Sequence, residues 1–256
     1  MLNTHILAML LFGVLVFTSC EDNEPSGESS LHSAFALFDA DNTSIQIDGD
    51  EVIIETNGLP NHTSPYWSSP FHVPGTATEE HPLFVEPTVT SFANMAPGYI
   101  DGFNGSFSLT VSADPELASS STSTGLGPIG IAVSGSVIYN DEEGPMVPLD
   151  DAAPSLDYVG AHTGPQSYHY HLEPTAWSED DDALIGIIAD GFFLYGRKCF
   201  STADYPTDLD ASNGHSSVTQ YSDDEEYHYH IETTPYLGLY YILFPGDYQG
   251  TPSSIE

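Results

Sequence analysis

The residue types best able to do chemistry in this sequence fall in two copies of one tetrapeptide. Tyr168-His169-Tyr170-His171 recurs as Tyr227-His228-Tyr229-His230. In an extended strand side chains alternate between faces, so His169 and His171 point one way while Tyr168 and Tyr170 point the other. The same holds for His228 and His230 against Tyr227 and Tyr229. Two imidazoles two residues apart on one strand are spaced to bind the same metal ion, and one further ligand completes the three-histidine set of catalytic zinc sites. His162, in Gly160-Ala161-His162, and His215, in Asn213-Gly214-His215, are the expected third ligands, each in a glycine-containing turn before its strand. Nitrogen donors imply a transition metal: zinc first, then copper, iron or nickel. Two geometries remain open. Either each copy completes its own site, or the two strands face one another across a pseudo-twofold and share one. The competing account is plain cross-strand packing, with the imidazoles hydrogen-bonded to carbonyls or carboxylates.

Other reactive residues are few. Asp190 lies in the apolar segment Ile188-Ala189-Asp190-Gly191-Phe192, where an ionised carboxylate is costly unless paired or ligating. It is therefore a candidate for proton transfer, or else a turn residue before Gly191. Asp210 precedes the second histidine turn and is expected to hold an imidazole N–H. Arg197 and Lys198 are the only basic residues, and they are expected to neutralise nearby acid. No nucleophile elbow, phosphate-binding loop or Cys-x-x-Cys motif is present.

The elements around these motifs read as β. Short runs such as Ser44-Ile45-Gln46-Ile47-Asp48 and Ser106-Phe107-Ser108-Leu109-Thr110-Val111 alternate apolar and polar residues between turn signals. No long stretch carries apolar residues at helical spacing. The expected class is all-β, sandwich- or barrel-like, with an internally duplicated β unit. Duplication is carried by three landmarks in the same order. Ile129-Gly130-Ile131 through Ile138-Tyr139 aligns with Ile185-Gly186-Ile187 through Leu194-Tyr195, followed by the two histidine turns and then the two tetrapeptides. The repeats span about 127–171 and 183–230 within a single β domain at 34–256.

Charge bounds the partners. With 38 acidic residues against 2 basic ones, the net charge is −36, so phosphate neutralisation is out of reach and nucleic-acid binding is excluded. At the N-terminus, Ile6 to Phe17 is an apolar run too short to span a bilayer, closed by Thr18-Ser19-Cys20. Residues 1–19 read as a lipoprotein signal peptide, Cys20 as the acylated anchor to a lipid bilayer, and 20–33 as a flexible tether. The expectation is an exported protein at the outer membrane or cell surface. Acylation of Cys20 leaves Cys199 alone, so no intramolecular disulfide follows.

Together Gly127-Pro128-Ile129-Gly130-Ile131-Ala132, Gln166-Ser167-Tyr168-His169-Tyr170-His171, Leu184-Ile185-Gly186 with Asp190-Gly191-Phe192, and Leu209-Asp210 through His215 to His230 resemble the bacterial YHYH-domain family. Asn57-Gly58-Leu59-Pro60-Asn61-His62 is similar to its N-terminal part. The resemblance implies His62 as a further ligand and supplies no reaction. Three functions are therefore open: a binding module holding transition metal, a metal-dependent hydrolase or oxidase acting on extracellular material, and an acidic surface scaffold whose histidines are incidental. An open coordination position in a concave pocket distinguishes the enzyme, and a closed four-ligand site the structural role.

Overall fold

The computed structural model describes residues 30–62, 64, 66, 105–151, 156–157, 159–164, 167–175, 177–238 and 240–256. The expected signal peptide, Cys20 and the tether as far as Ser29 lie outside the described residues. A 3₁₀ turn at Ser33–Leu37 buries Ala34 and Phe35. Beyond it the described residues form strands and turns with one further short 3₁₀ turn at Leu149–Asp151, and among them no helix is long and apolar enough to cross a membrane.

Three strands, β1 (Thr43–Asp48), β2 (Glu51–Thr56) and β3 (Phe107–Ser112), form an antiparallel sheet in that order. Alternation decides which face is buried: Val52, Ile54, Leu109 and Val111 turn inward, and their neighbours face outward.

The main sheet is built from the repeat. Its strands are β4 (Gly130–Ala132) and β5 (Val137–Ile138), then β8 (Ala161–Thr163), β9 (Tyr168–Tyr170), β10 (Leu184–Ile188), β11 (Phe193–Tyr195), β12 (Gly214–Thr219) and β13 (Ser222–His230). A small hairpin, β6 (Glu142–Gly144) and β7 (Val147–Pro148), stands outside it. The strand order is β12-β13-β11-β10-β4-β5-β9-β8. Read outward from the middle, both halves follow one rule: a hairpin, a parallel pairing to the tetrapeptide strand, and an antiparallel edge strand carrying the histidine turn.

Where the halves meet, Ile131 pairs with Ile187, flanked by Ala132 with Gly186 and Gly130 with Ile188. Ile131 and Ile187 are aligned positions of the repeat, so a local twofold passes between them. Gly130 and Gly186 are equally equivalent. A Cβ on Gly130 would strike the Ile187 carbonyl, and one on Gly186 the Ile131 carbonyl. Only glycine permits that approach of β4 and β10.

Both sheets contribute to one apolar core. Tyr168, Tyr170, Tyr195 and Tyr229 are fully buried there with Ile131, Ile187, Ile54 and Leu109. The arrangement is sandwich-like. The barrel alternative is not realised: among the described residues β8 and β12 are the two ends of an open sheet.

Candidate metal centres

Each histidine turn is fixed by an aspartate. In the first copy Asp157 Oδ1 accepts from Val159 N at 3.0 Å and Ala161 N at 3.2 Å, and its other oxygen accepts from the Tyr168 hydroxyl at 2.5 Å. In the second, Asp210 Oδ1 accepts from Ser212 N and Gly214 N at 2.8 and 3.0 Å, and Oδ2 from the Tyr227 hydroxyl at 2.7 Å. The turns reverse through left-handed backbone at Gly160 (φ 81°) and Asn213 (φ 60°), residues that tolerate that region. Asp210 thus shapes the turn and binds a tyrosine; it does not hold an imidazole as expected.

The turn then delivers its histidine opposite the tetrapeptide strand. His162 pairs with His169 across β8–β9, and His215 pairs with His228 across β12–β13. As the alternation requires, the tyrosines enter the core and the histidines take the other face. Two groups result, His162 with His169 and His171, and His215 with His228, His230 and Cys199; within each, the donor atoms lie within 4.8 Å of one another, and all these residues are buried. They sit in opposite halves of the sheet. Of the two geometries left open by the sequence, each copy gathers its own histidines, and the shared arrangement is not formed.

In the Cys199 group three Nδ1 atoms face acceptors. His230 Nδ1 donates to the Gly196 carbonyl at 2.7 Å, His228 Nδ1 to the Glu226 carbonyl at 2.9 Å, and His215 Nδ1 lies 2.9 Å from Asp208 Oδ1. That tautomer turns each Nε2 lone pair inward. His215 Nε2 is 3.3 Å from His230 Nε2 and 3.4 Å from Cys199 Sγ. Tetrahedral zinc with nitrogens near 2.0–2.1 Å and sulfur near 2.3 Å needs N–N edges of about 3.3 Å and S–N edges of about 3.6 Å. Burial raises the Cys199 thiol, but contacts to Ser201, Ser217 and His215 bring it below its ordinary value.

In the other group, His171 Nδ1 donates to the Asn140 carbonyl at 2.7 Å, the counterpart of the His230 bond. Its Nε2 is buried without a hydrogen-bond partner and faces the Glu143 carboxylate at 3.8 Å; His162 Nε2 lies 3.4 Å from the same oxygen. Burial, with help from neighbouring imidazoles, drives His162 down to about 3 and His228 and His230 to about 4; burial alone brings His171 to about 4. At neutral pH these four rings are neutral, the form a metal requires.

Cys199 carried no ligand expectation from the sequence. The repeat identifies it: counting four residues on from the aligned Tyr139 and Tyr195 reaches Glu143 and Cys199. Both stand beside their own copy's histidines.

Two expected residues lie elsewhere. His62 packs against Tyr168 and Tyr170, with Nε2 2.5 Å from the Tyr170 hydroxyl, on the tyrosine face and away from the histidine group. Asp190 accepts from the Tyr229 hydroxyl at 2.5 Å and from Gln249 N and Gly250 N, each at 3.0 Å. Burial lifts its pKa against the pull of those bonds. Its aligned partner Ser134 contacts Tyr170 in the same way, at 2.9 Å, so Asp190 belongs to the tyrosine side of the fold. Arg197 and Lys198 do neutralise acid: Arg197 binds Glu173 at 3.0 Å and Asp180 at 3.1 Å, and Lys198 binds Asp180 at 3.1 Å.

A family model described as YHYH protein matches residues 108–207, from β3 to just short of the second histidine turn. No curated protein and no solved structure gives a significant match.

Proposed function

We propose that this YHYH-domain protein is a transition-metal-binding module with two separate centres, exported and held at a membrane by acylated Cys20. The metal reading rests on one contact above all. His230 Nδ1 has a carbonyl to donate to, and His215 Nδ1 has a carboxylate. In neutral rings both Nε2 atoms then present lone pairs, buried and 3.3 Å apart. Two acceptors in that position repel unless a cation or shared proton lies between them. The nearby thiol and third imidazole make a cation the better fit, with zinc first and copper or iron as alternatives. Export and anchoring are supported by the Ile6–Phe17 apolar run and by Phe17-Thr18-Ser19-Cys20.

The test is elemental analysis of protein purified without a histidine tag, before and after incubation with zinc, copper, iron or nickel. Two metal ions per chain are expected. Absence of all four above background, with none taken up, removes the reading and leaves the acidic scaffold.

A further inference from the structure

We infer that the two centres do different work: the His162/His169/His171 centre admits a small external ligand to its metal, while the Cys199 centre is saturated by protein donors. The inference rests on the metal-binding reading and assigns the open role to one of its two sites.

Three observations carry it. The first is the count of converging donors. Among the described residues the second copy brings four buried donors together, whereas the first brings three. The residue standing where Cys199 would be is Glu143, on the β6–β7 hairpin, with its side chain about 35% exposed against 4% for His162 and 1% for His171. Its carboxylate lies at the rim, on the solvent side of the imidazoles.

The second is room. A cavity of about 330 Å³, lined by Leu126, Gly127, Tyr139, Glu142, Glu143 and Gly164, reaches His169 and His171. That volume takes several waters or one small organic molecule.

The third is the wall. Tyr139 lies flat on His169, with ring centroids 3.8 Å apart and planes 14° apart. Its repeat equivalent Tyr195 meets His228 edge-on at 5.1 Å and 76°. The flat stack fixes the His169 ring and makes one side of the cavity an aromatic surface.

The chemistry of the walls selects the ligand class. Among the described residues the lining carries two carboxylates and no Lys or Arg side chain, which favours water or a neutral nitrogen or oxygen donor over an anion. Leu126 and Tyr139 supply apolar contact for a carbon skeleton. If the protein performs hydrolysis or oxidation, this centre is where a bound water or substrate has access, and the Cys199 centre is not.

Cobalt(II) titration of metal-free protein separates the possibilities. Two equivalents are expected, one giving a thiolate-to-cobalt charge-transfer band. Imidazole, a neutral nitrogen donor, should then change the visible ligand-field bands saturably and leave the thiolate band in place, while azide should bind at least tenfold more weakly. Leu126→Trp, at an exposed rim position, should fill the cavity and abolish the imidazole response with both cobalt ions retained. A response in the thiolate band, or two bound cobalt ions with no ligand-field response to imidazole, overturns the inference while the metal reading stands. Failure to bind cobalt removes both.

Discussion

Glu143 and Cys199 occupy the same position of the two repeats, and each lies 3.4 Å from its own copy's turn histidine, His162 or His215. One supersecondary unit has therefore kept its three imidazoles and changed its fourth neighbour from a carboxylate to a thiol. On the proposed metal-binding reading, a carboxylate at the rim of one group and a soft buried sulfur within the other would give the two centres different metal preferences. The predictions below follow from that asymmetry and from the fold that maintains it.

The Asp208 carboxylate orients His215 through Nδ1 at 2.9 Å. Asp208→Ala should weaken metal binding at the Cys199 centre by about 10- to 100-fold, the usual cost of losing such a partner. The other centre should be unchanged. Competition with a chromophoric chelator measures both affinities, and an equal loss at both centres contradicts the assignment.

Asp190 is expected to matter for stability and not for metal. Asp190→Ala leaves the Gly250 N–H and the Tyr229 hydroxyl without this acceptor, and the Gln249 N–H with the Tyr229 oxygen alone, at a cost of about 2 kcal/mol. Urea denaturation should register that loss, with two metal ions still bound per chain. A variant of unchanged stability that loses a metal would return Asp190 to the site.

The central strand pair gives a test of the fold. Gly186→Ala would place a methyl group against the Ile131 carbonyl, so destabilisation of about 2–3 kcal/mol or more is expected. Gly125→Ala meets nothing within 4 Å and should stay within about 0.5 kcal/mol of the parent. Similar behaviour of the two variants in urea would mean that β4 and β10 do not meet as described.

Stability of the metal-free protein should fall as pH drops from about 6.5. His162, His171, His228 and His230 have folded-state values of about 3 to 4. Between pH 6.5 and 4 the unfolded chain therefore takes up protons that the folded chain refuses. Each such histidine steepens the loss by up to about 1.4 kcal/mol per pH unit. Asp157 and Asp190, raised by burial, act with the opposite sign. The double variant His228→Gln/His230→Gln removes two histidines and keeps those carboxyls, so its slope should be flatter. Denaturation series at pH 7, 6 and 5 test this, and equal slopes would contradict it.

Much of the site was legible because a period of two is hard to hide. The Tyr-His alternation placed the imidazoles on one face and the tyrosines in the core, and the duplication marked His162 and His215 as turn histidines. Whether the copies shared a centre was not legible. That depends on the parallel pairings of β5 with β9 and β11 with β13, which carry each tetrapeptide outward from the twofold and leave no local trace. Cys199 escaped notice because a single cysteine has no spacing motif; only extending the repeat alignment past Tyr195 finds it. Asp208 and Asp210 are two residues apart in a turn, and the pattern cannot say which carboxylate reaches the imidazole. His62 is implied as a ligand only by resemblance, and the fold puts it among the tyrosines.

The most direct test is anomalous diffraction from crystals of the metal-loaded protein, with data on both sides of the metal's absorption edge. Two separate peaks are predicted, one enclosed by Cys199, His215, His228 and His230, the other among His162, His169 and His171. No peak within bonding distance of either set of histidines would contradict the account.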